Sequence, residues 1–147
     1  YAIKDNLQEE MLRILLKRFI ILCTRIAREK FSVSPEREKA FDMVRQFYVL
    51  VDNHFKEKKM VQDYANMLHR SPKTLSNLFT TCGLPSPLRI IHERIEAEAK
   101  RLLLYSQKSA KEITEILGFE DQATFSRFFK KMTGESVSEY RKREKQE

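Results

Sequence analysis

The stretch SAKEITEILGFEDQATFSRFFKKMTG, residues 109–134, decides the fold because it contains two helical patterns joined by a short turn. Ser109 and Glu112 form a capping-box pattern before an apolar run, and Gly118 is placed to end that helix. Asp121 is a favourable N-cap for a second helix. The apolar residues of the second helix fall on one face: Phe125, Phe128, Phe129 and Met132. The stretch therefore predicts a helix-turn-helix unit.

An earlier part of the chain repeats this pattern. An offset of 50 residues aligns the N-cap residues Ser71 and Asp121. The same offset aligns three pairs of apolar residues: Leu75 with Phe125, Leu78 with Phe128, and Phe79 with Phe129. The helices before the two turns align at an offset of 49, so the second turn should be one residue longer. We therefore predict two helix-turn-helix units, at about residues 60–82 and 109–132.

Two longer helices are predicted around the repeats. Ser34-Pro35 begins one, with an inward stripe of Phe41, Val44, Tyr48, Val51 and Phe55. Ser86-Pro87 begins the other, a linker helix over about 87–104, with an inward stripe of Leu88, Ile91, Ile95, Ala99 and Leu102. The linker helix would span roughly 27 Å, and Glu93, Glu96 and Glu98 are interpreted as its solvated face. With only 3 Gly and 4 Pro, the chain is expected to be all-α.

The first segment, residues 7–30, has helical periodicity but is more apolar than one core contact requires. One interpretation is a core helix packed on the rest of the chain. The other is a dimer seam, or a surface covered by a missing upstream domain, carried by Leu15, Phe19, Leu22 and Ile26. A basic membrane-surface helix is a further alternative, but the basic residues are not confined to one face.

Composition limits the classes of function. The net charge of +7 and the pI of about 9.5 favour an acidic partner such as DNA, RNA or an anionic membrane. No apolar run approaches the ~20 residues of a membrane span. The two cysteines are interpreted as reduced thiols of a cytoplasmic protein. No histidine or cysteine pattern has metal-ligand spacing, and no phosphate loop or nucleophile elbow occurs, so we expect no metal, no cofactor and no enzyme.

In each predicted helix-turn-helix unit, the outward face of the second helix carries side chains suited to the major groove. Neither of these two faces contains Asp or Glu. Arg127 could donate to guanine and Asn77 could pair with adenine. The candidates for base contacts are Lys73, Thr74, Ser76, Asn77, Gln122, Thr124, Ser126 and Arg127. The candidates for phosphate contacts are Arg70, Thr80, Lys130, Lys131 and Arg141, with Lys73 also suited to that role.

The second repeat resembles the AraC/XylS-type family of bacterial transcription regulators. The resemblance rests on Ile113-x-x-Ile116-Leu-Gly118-Phe119, on Asp121-Gln122-x-x-Phe125-x-Arg127-x-Phe129-Lys130-Lys131-x-x-Gly134, and on Tyr140-Arg141. The first repeat agrees in Tyr64-Ala65, Ser71-Pro72-x-x-Leu75 and Leu78-Phe79. Thr114, Val137 and Gly83 depart from the residues or positions usual in the family.

The resemblance implies a seven-helix domain that binds double-stranded DNA in adjacent major grooves, at residues 34–147. It implies that residues 1–33 remain from an upstream sensor and dimerisation domain, which would bind an unknown effector. It further implies transcription control, most often activation through contact with RNA polymerase. Because residue 1 is Tyr and no signal peptide precedes the first helix, we expect a piece of a longer chain.

A helical protein–protein adaptor without DNA binding is the main alternative. The dependence of binding on salt concentration distinguishes a DNA-binding protein from such an adaptor, since binding through several phosphates should weaken steeply as the salt concentration rises.

Overall fold

The computed structural model describes residues 6–30 and 34–144, and in these residues the regular secondary structure consists of helices. The elements of this described part are α1 (Asn6–Lys30), α2 (Pro35–His54), α3 (Val61–Met67), α4 (Pro72–Thr81), α5 (Pro87–Tyr105), α6 (Ala110–Ile116), α7 (Gln122–Thr133) and α8 (Val137–Glu144). The all-α prediction is confirmed, and the helices of both repeats begin and end within two residues of their predicted bounds.

The chain divides into two compact units, Tyr1–Lys39 and Ala40–Glu147. In the first unit, the side chains of residues 11–26 on α1 are exposed. The expected division after residue 33 lies outside the described residues.

The second unit is built around α5, which packs against α3, α4, α6, α7 and α8. Ile91, Ile95 and Ala99 of α5 are almost completely buried, as the predicted inward stripe requires. Each repeat contributes an aligned pair of fully buried residues: Leu75 and Phe79 from α4, and Phe125 and Phe129 from α7. The duplicated sequence pattern therefore corresponds to two equivalent helix pairs on one central helix.

The two turns differ in length as predicted, with four residues between α3 and α4 and five between α6 and α7. Both turns use a left-handed residue directly after the helix C-cap: His69, with φ of 52°, and Gly118, with φ of 68°. In each, the following amide donates to a carbonyl five residues back, from Arg70 to Ala65 and from Phe119 to Thr114. The matching hydrogen bonds show that the two turns are of the same type.

The inward face predicted for α2 is wrong at two positions. Phe41 and Tyr48 are exposed, while Phe47 is fully buried. The Phe47 ring lies 5.5 Å from the Tyr64 ring and 5.0 Å from the Phe79 ring, between centroids. Packing against the first repeat therefore selects the face that carries Phe47.

Two assignments on α5 also need correction. Leu88, predicted to point inward, is exposed, and Ile90 is buried instead. Glu98, assigned to the solvated face, is only 8% exposed. Arg101 donates to both carboxylate oxygens of Glu98, at 3.0 and 2.8 Å, so the buried charge is paired.

Candidate nucleic-acid interface

Side-chain caps define where the second helix of each repeat begins. Ser71 accepts from the backbone N–H of Thr74 at 3.1 Å, and Asp121 accepts from that of Thr124 at 2.7 Å. Each cap therefore satisfies a backbone donor that the first helical turn leaves unpaired. Both predicted caps are confirmed.

On α4, all the predicted DNA-contacting side chains are exposed: Lys73, Thr74, Ser76, Asn77 and Thr80. Two of the hydroxyls already have intramolecular partners. Thr80 donates to the carbonyl of Ser76 at 2.9 Å, and the Thr74 and Ser71 hydroxyl oxygens lie 2.8 Å apart. The side chains of Lys73, Ser76 and Asn77 make no such bond within the described part of the chain, so they are available to an external partner.

On α7, Gln122, Arg127, Lys130 and Lys131 are exposed, while Thr124 and Ser126 are half-buried. Arg127 donates to the hydroxyl oxygen of Thr124 at 3.2 Å. Burial of Phe125 and Phe129 on the opposite face fixes which side chains of α7 point outward. The structure therefore brings Arg127 and Lys131 to the surface, with Thr124 beneath the Arg127 side chain.

Electrostatically, both helices suit a polyanion, because neither α4 nor α7 contains Asp or Glu. The carboxylate of Asp121 stands at the α7 N-terminus. Hydrogen bonds from the backbone and hydroxyl of Thr124 lower the pKa of Asp121 below its usual value. The carboxylate of Asp121 is exposed, but it accepts hydrogen bonds from Thr124 and its charge lies near the Arg127 cation.

Two basic candidates for phosphate contacts lie outside α4 and α7. Arg70 lies exposed in the α3–α4 turn and donates to the carbonyl of His69 at 3.2 Å. Arg141 on α8 donates to the carbonyl of Lys108, in the loop before α6. A phosphate contact by Arg141 would therefore use its other N–H groups.

Sequence reasoning treated Asp121 only as a cap and Thr124 as a candidate for contact with a base. It missed that Thr124 links Asp121 to Arg127 through its hydroxyl. The spacing could have indicated this link, because Asp121 and Thr124, and Thr124 and Arg127, are each three residues apart and such residues are neighbours on a helix.

The described residues contain no group of three or more His, Cys, Asp or Glu side chains arranged to hold a metal ion. His92 on α5 packs edge-on against Phe128 at 5.3 Å between ring centroids. Burial, followed by the nearby charge of Lys131, lowers the pKa of His92. His92 therefore acts as a packing residue against α7. None of the described helices is long and apolar enough to cross a membrane.

Comparison with known proteins identifies a family that matches residues 64–143, described as a helix-turn-helix domain. One relative is the uncharacterized HTH-type transcriptional regulator YisR of Bacillus subtilis. It is 30% identical over 122 residues, which are 82% of this chain and 41% of that protein. The chain thus spans less than half the length of this relative.

Two solved structures are similar in fold to a large part of this chain. The C-terminal domain of AraT, a response regulator from Geobacillus stearothermophilus, has 28% sequence identity and a TM-score of 0.62, over 75% of this chain and 86% of that one. The DNA-binding domain of the transcriptional factor AdpA, solved with a target DNA, has 23% identity and a TM-score of 0.56. That match covers 69% of this chain and 88% of the AdpA chain.

Proposed function

Because the chain belongs to the AraC-type helix-turn-helix family, a class of DNA-binding transcription regulators and not of enzymes, we propose that α4 and α7 bind two adjacent major-groove segments of double-stranded DNA. The observation that carries this proposal is the pair of exposed, carboxylate-free helix faces on two equivalent helix pairs packed on α5. A major groove admits one α-helix, so two such helices suit two groove segments.

The side chains divide into two roles. Arg127 contacts guanine and Asn77 contacts adenine, because their donor and acceptor patterns match those bases. The other base-contact candidates on the two helices are Lys73, Thr74, Ser76, Gln122, Ser126 and Thr124, and Thr124 can act either directly on a base or through Arg127. Arg70, Thr80, Lys130, Lys131 and Arg141 contact phosphates, which gives affinity without base preference.

The dependence of affinity on salt tests this function. Five cationic contacts, from Lys73 and the four basic phosphate candidates, predict that log K falls with log salt concentration at a slope of about −4 to −5. Fluorescence anisotropy with a labelled duplex measures the slope. A slope near zero would favour a protein–protein adaptor. Equal affinity for every duplex would instead mean DNA binding without sequence specificity.

For the whole protein, we infer an upstream sensor domain that binds an effector, contact with RNA polymerase, activation as the output, and a cytoplasmic location. The support is the family assignment and the greater length of the relatives. The proposed division places residues 1–33 with the upstream part and 34–147 in the DNA-binding domain.

The exposed apolar residues of α1 support a seam with a second copy or with the upstream domain, formed by Leu15, Phe19, Leu22 and Ile26. Light scattering of Phe19→Glu against Lys17→Glu tests the dimer version. A dimer lost only with Phe19→Glu supports it, and a monomeric starting chain rules it out.

A further inference from the structure

Three side chains at the start of α7 form a continuous hydrogen-bonded chain. The hydroxyl of Thr124 donates to Oδ2 of Asp121 at 3.1 Å. The same hydroxyl oxygen accepts from Nη2 of Arg127 at 3.2 Å. Asp121 and Arg127 are exposed and Thr124 is half-buried, so this hydrogen-bonded series lies along the surface of the first turn of α7.

The carboxylate fixes the direction of this chain. Hydrogen bonds from Thr124 and the nearby Arg127 charge lower the pKa of Asp121, which keeps the group an acceptor at neutral pH. The single proton of the Thr124 hydroxyl therefore goes to Asp121. The lone pairs of the hydroxyl oxygen are then left for the Arg127 guanidinium.

The first repeat provides a natural comparison. At the offset of 50 residues, Ser71 stands for Asp121, Thr74 for Thr124 and Asn77 for Arg127. The Ser71 and Thr74 hydroxyls lie 2.8 Å apart and either can donate, so the direction is not fixed. The Asn77 side chain makes no hydrogen bond within the described residues. A hydrogen-bonded series with a fixed direction is thus a feature of the second repeat, where a long cationic side chain stands in place of Asn77.

We propose that Asp121 and Thr124 are positioning residues that hold the Arg127 guanidinium in place before DNA binds, and so set base preference without touching a base. The proposal rests on the proposed function, since it requires that Arg127 contacts a base. A free Arg side chain has many rotamers, and ordering it on binding weakens the interaction. The hydrogen bond from Nη2 of Arg127 to Thr124 reduces that loss. It leaves other N–H groups of Arg127 for two parallel hydrogen bonds to guanine.

Binding of the full chain to duplexes altered at one base pair at a time tests the proposal. Arg127→Ala first identifies the base pair whose preference depends on Arg127. At that base pair, Thr124→Val should lower discrimination about fivefold, as expected for one lost hydrogen bond. Thr124→Ser, which keeps the hydroxyl, should restore most of the discrimination. Thr74→Val, the matched change in the first repeat, should leave that base pair unaffected.

A double variant separates positioning from a general structural effect. In the Arg127→Ala background, Thr124→Val should cause no further loss at the same base pair, because the group it positions is gone. Thermal unfolding of Thr124→Val and Thr74→Val should show similar small shifts.

Two results would overturn the positioning role while leaving DNA binding intact. One is unchanged discrimination in Thr124→Val, and the other is a changed preference at a different base pair, which would mean that Thr124 itself contacts a base. If Arg127→Ala alters no base preference, the base contact of Arg127 falls and the positioning role falls with it. Absence of any DNA binding by the unaltered chain would instead reject the proposed function.

Discussion

Among the three glycines, Gly118 is under the tightest structural constraint. Its φ of 68° is unfavourable for residues with a side chain, and a Cβ built there would lie 2.0 Å from the backbone oxygen of Lys56. The loop before α3 thus packs directly on the turn of the second repeat. Lys59 strengthens this contact, with its Nζ 5.1 Å from the centroid of the Phe119 ring.

Gly118→Ala should therefore destabilise the fold more than a positive φ alone would. Gly134 is the matched control, with φ of 84° and no atom within 4 Å of a built Cβ. We expect Gly134→Ala to lower the free energy of unfolding by about 1–2 kcal/mol, and Gly118→Ala to lower it by a further ~1–3 kcal/mol from steric overlap. Urea unfolding measures both, and equal losses would show that the close approach to Lys56 is unimportant.

The sequence was most informative at residues whose role is local. The caps Ser71, Ser86, Ser109 and Asp121 were predictable because capping needs only a short oxygen-bearing side chain at a helix start. The hydroxyl link through Thr124 was harder to predict. It depends on rotamers, which the spacing of residues permits but does not determine.

At the scale of elements, α2 and α5 are joined by a network of charges. Arg94 donates to Asp52 at 2.7 Å and lies 3.6 Å from the buried Glu98 carboxylate. The Arg94 guanidinium carbon also lies 4.1 Å from the centroid of the Phe55 ring. Arg94 therefore connects the two helices, and Glu98 pairs with both Arg94 and Arg101 on α5.

Glu98→Gln should lower the free energy of unfolding by about 1–2 kcal/mol, because charge-assisted bonds from Arg101 are lost and the neutral amide accepts at one atom only. Glu93→Gln is the matched control, since Glu93 is exposed on the same helix and paired with Arg89 at 2.7 Å. That change should cost about 0.5 kcal/mol or less. Thermal or urea unfolding compares the two, and equal losses would contradict a special role for Glu98.

The stability contributed by Glu98 should also depend on pH. The hydrogen bonds from Arg101, followed by the charges of Arg101 and Arg94, lower the pKa of Glu98 despite its burial. A lowered pKa in the folded state means that the contribution is complete above the unfolded pKa of about 4.3 and is lost as the pH falls through the folded pKa. The difference in stability between the starting chain and Glu98→Gln should therefore shrink below about pH 4.

Helix positions were predictable because caps, glycines and 3.6-residue periodicity agree along the repeats. The inward face of α2 was not, since Phe41, Val44, Phe47, Tyr48 and Val51 offer two overlapping apolar faces. Only the aromatic partners supplied by α3 and α4 select between them. The burial of Glu98 could have been suspected, because Arg94 and Arg101 lie four and three residues away on the same helix.

For the molecule as a whole, the repeat was the strongest signal. It determined the number of helix pairs, the one-residue difference in turn length and the aligned core residues of the second unit. The role of α1 was less predictable. Its sequence is apolar enough either for a core helix or for an interface with a partner, and the interface through α1 stays a prediction.

The central claim is that two equivalent helices each contact their own segment of DNA. Selection of bound sequences from a random duplex pool tests it most directly, with the unaltered chain, Asn77→Ala on α4 and Arg127→Ala on α7 compared in parallel. We expect two blocks of preferred sequence about one helical turn apart, roughly 10 base pairs. Asn77→Ala should weaken the preference in one block, and Arg127→Ala should weaken it in the other. A single block, or the loss of preference in the same block by both substitutions, would contradict paired binding.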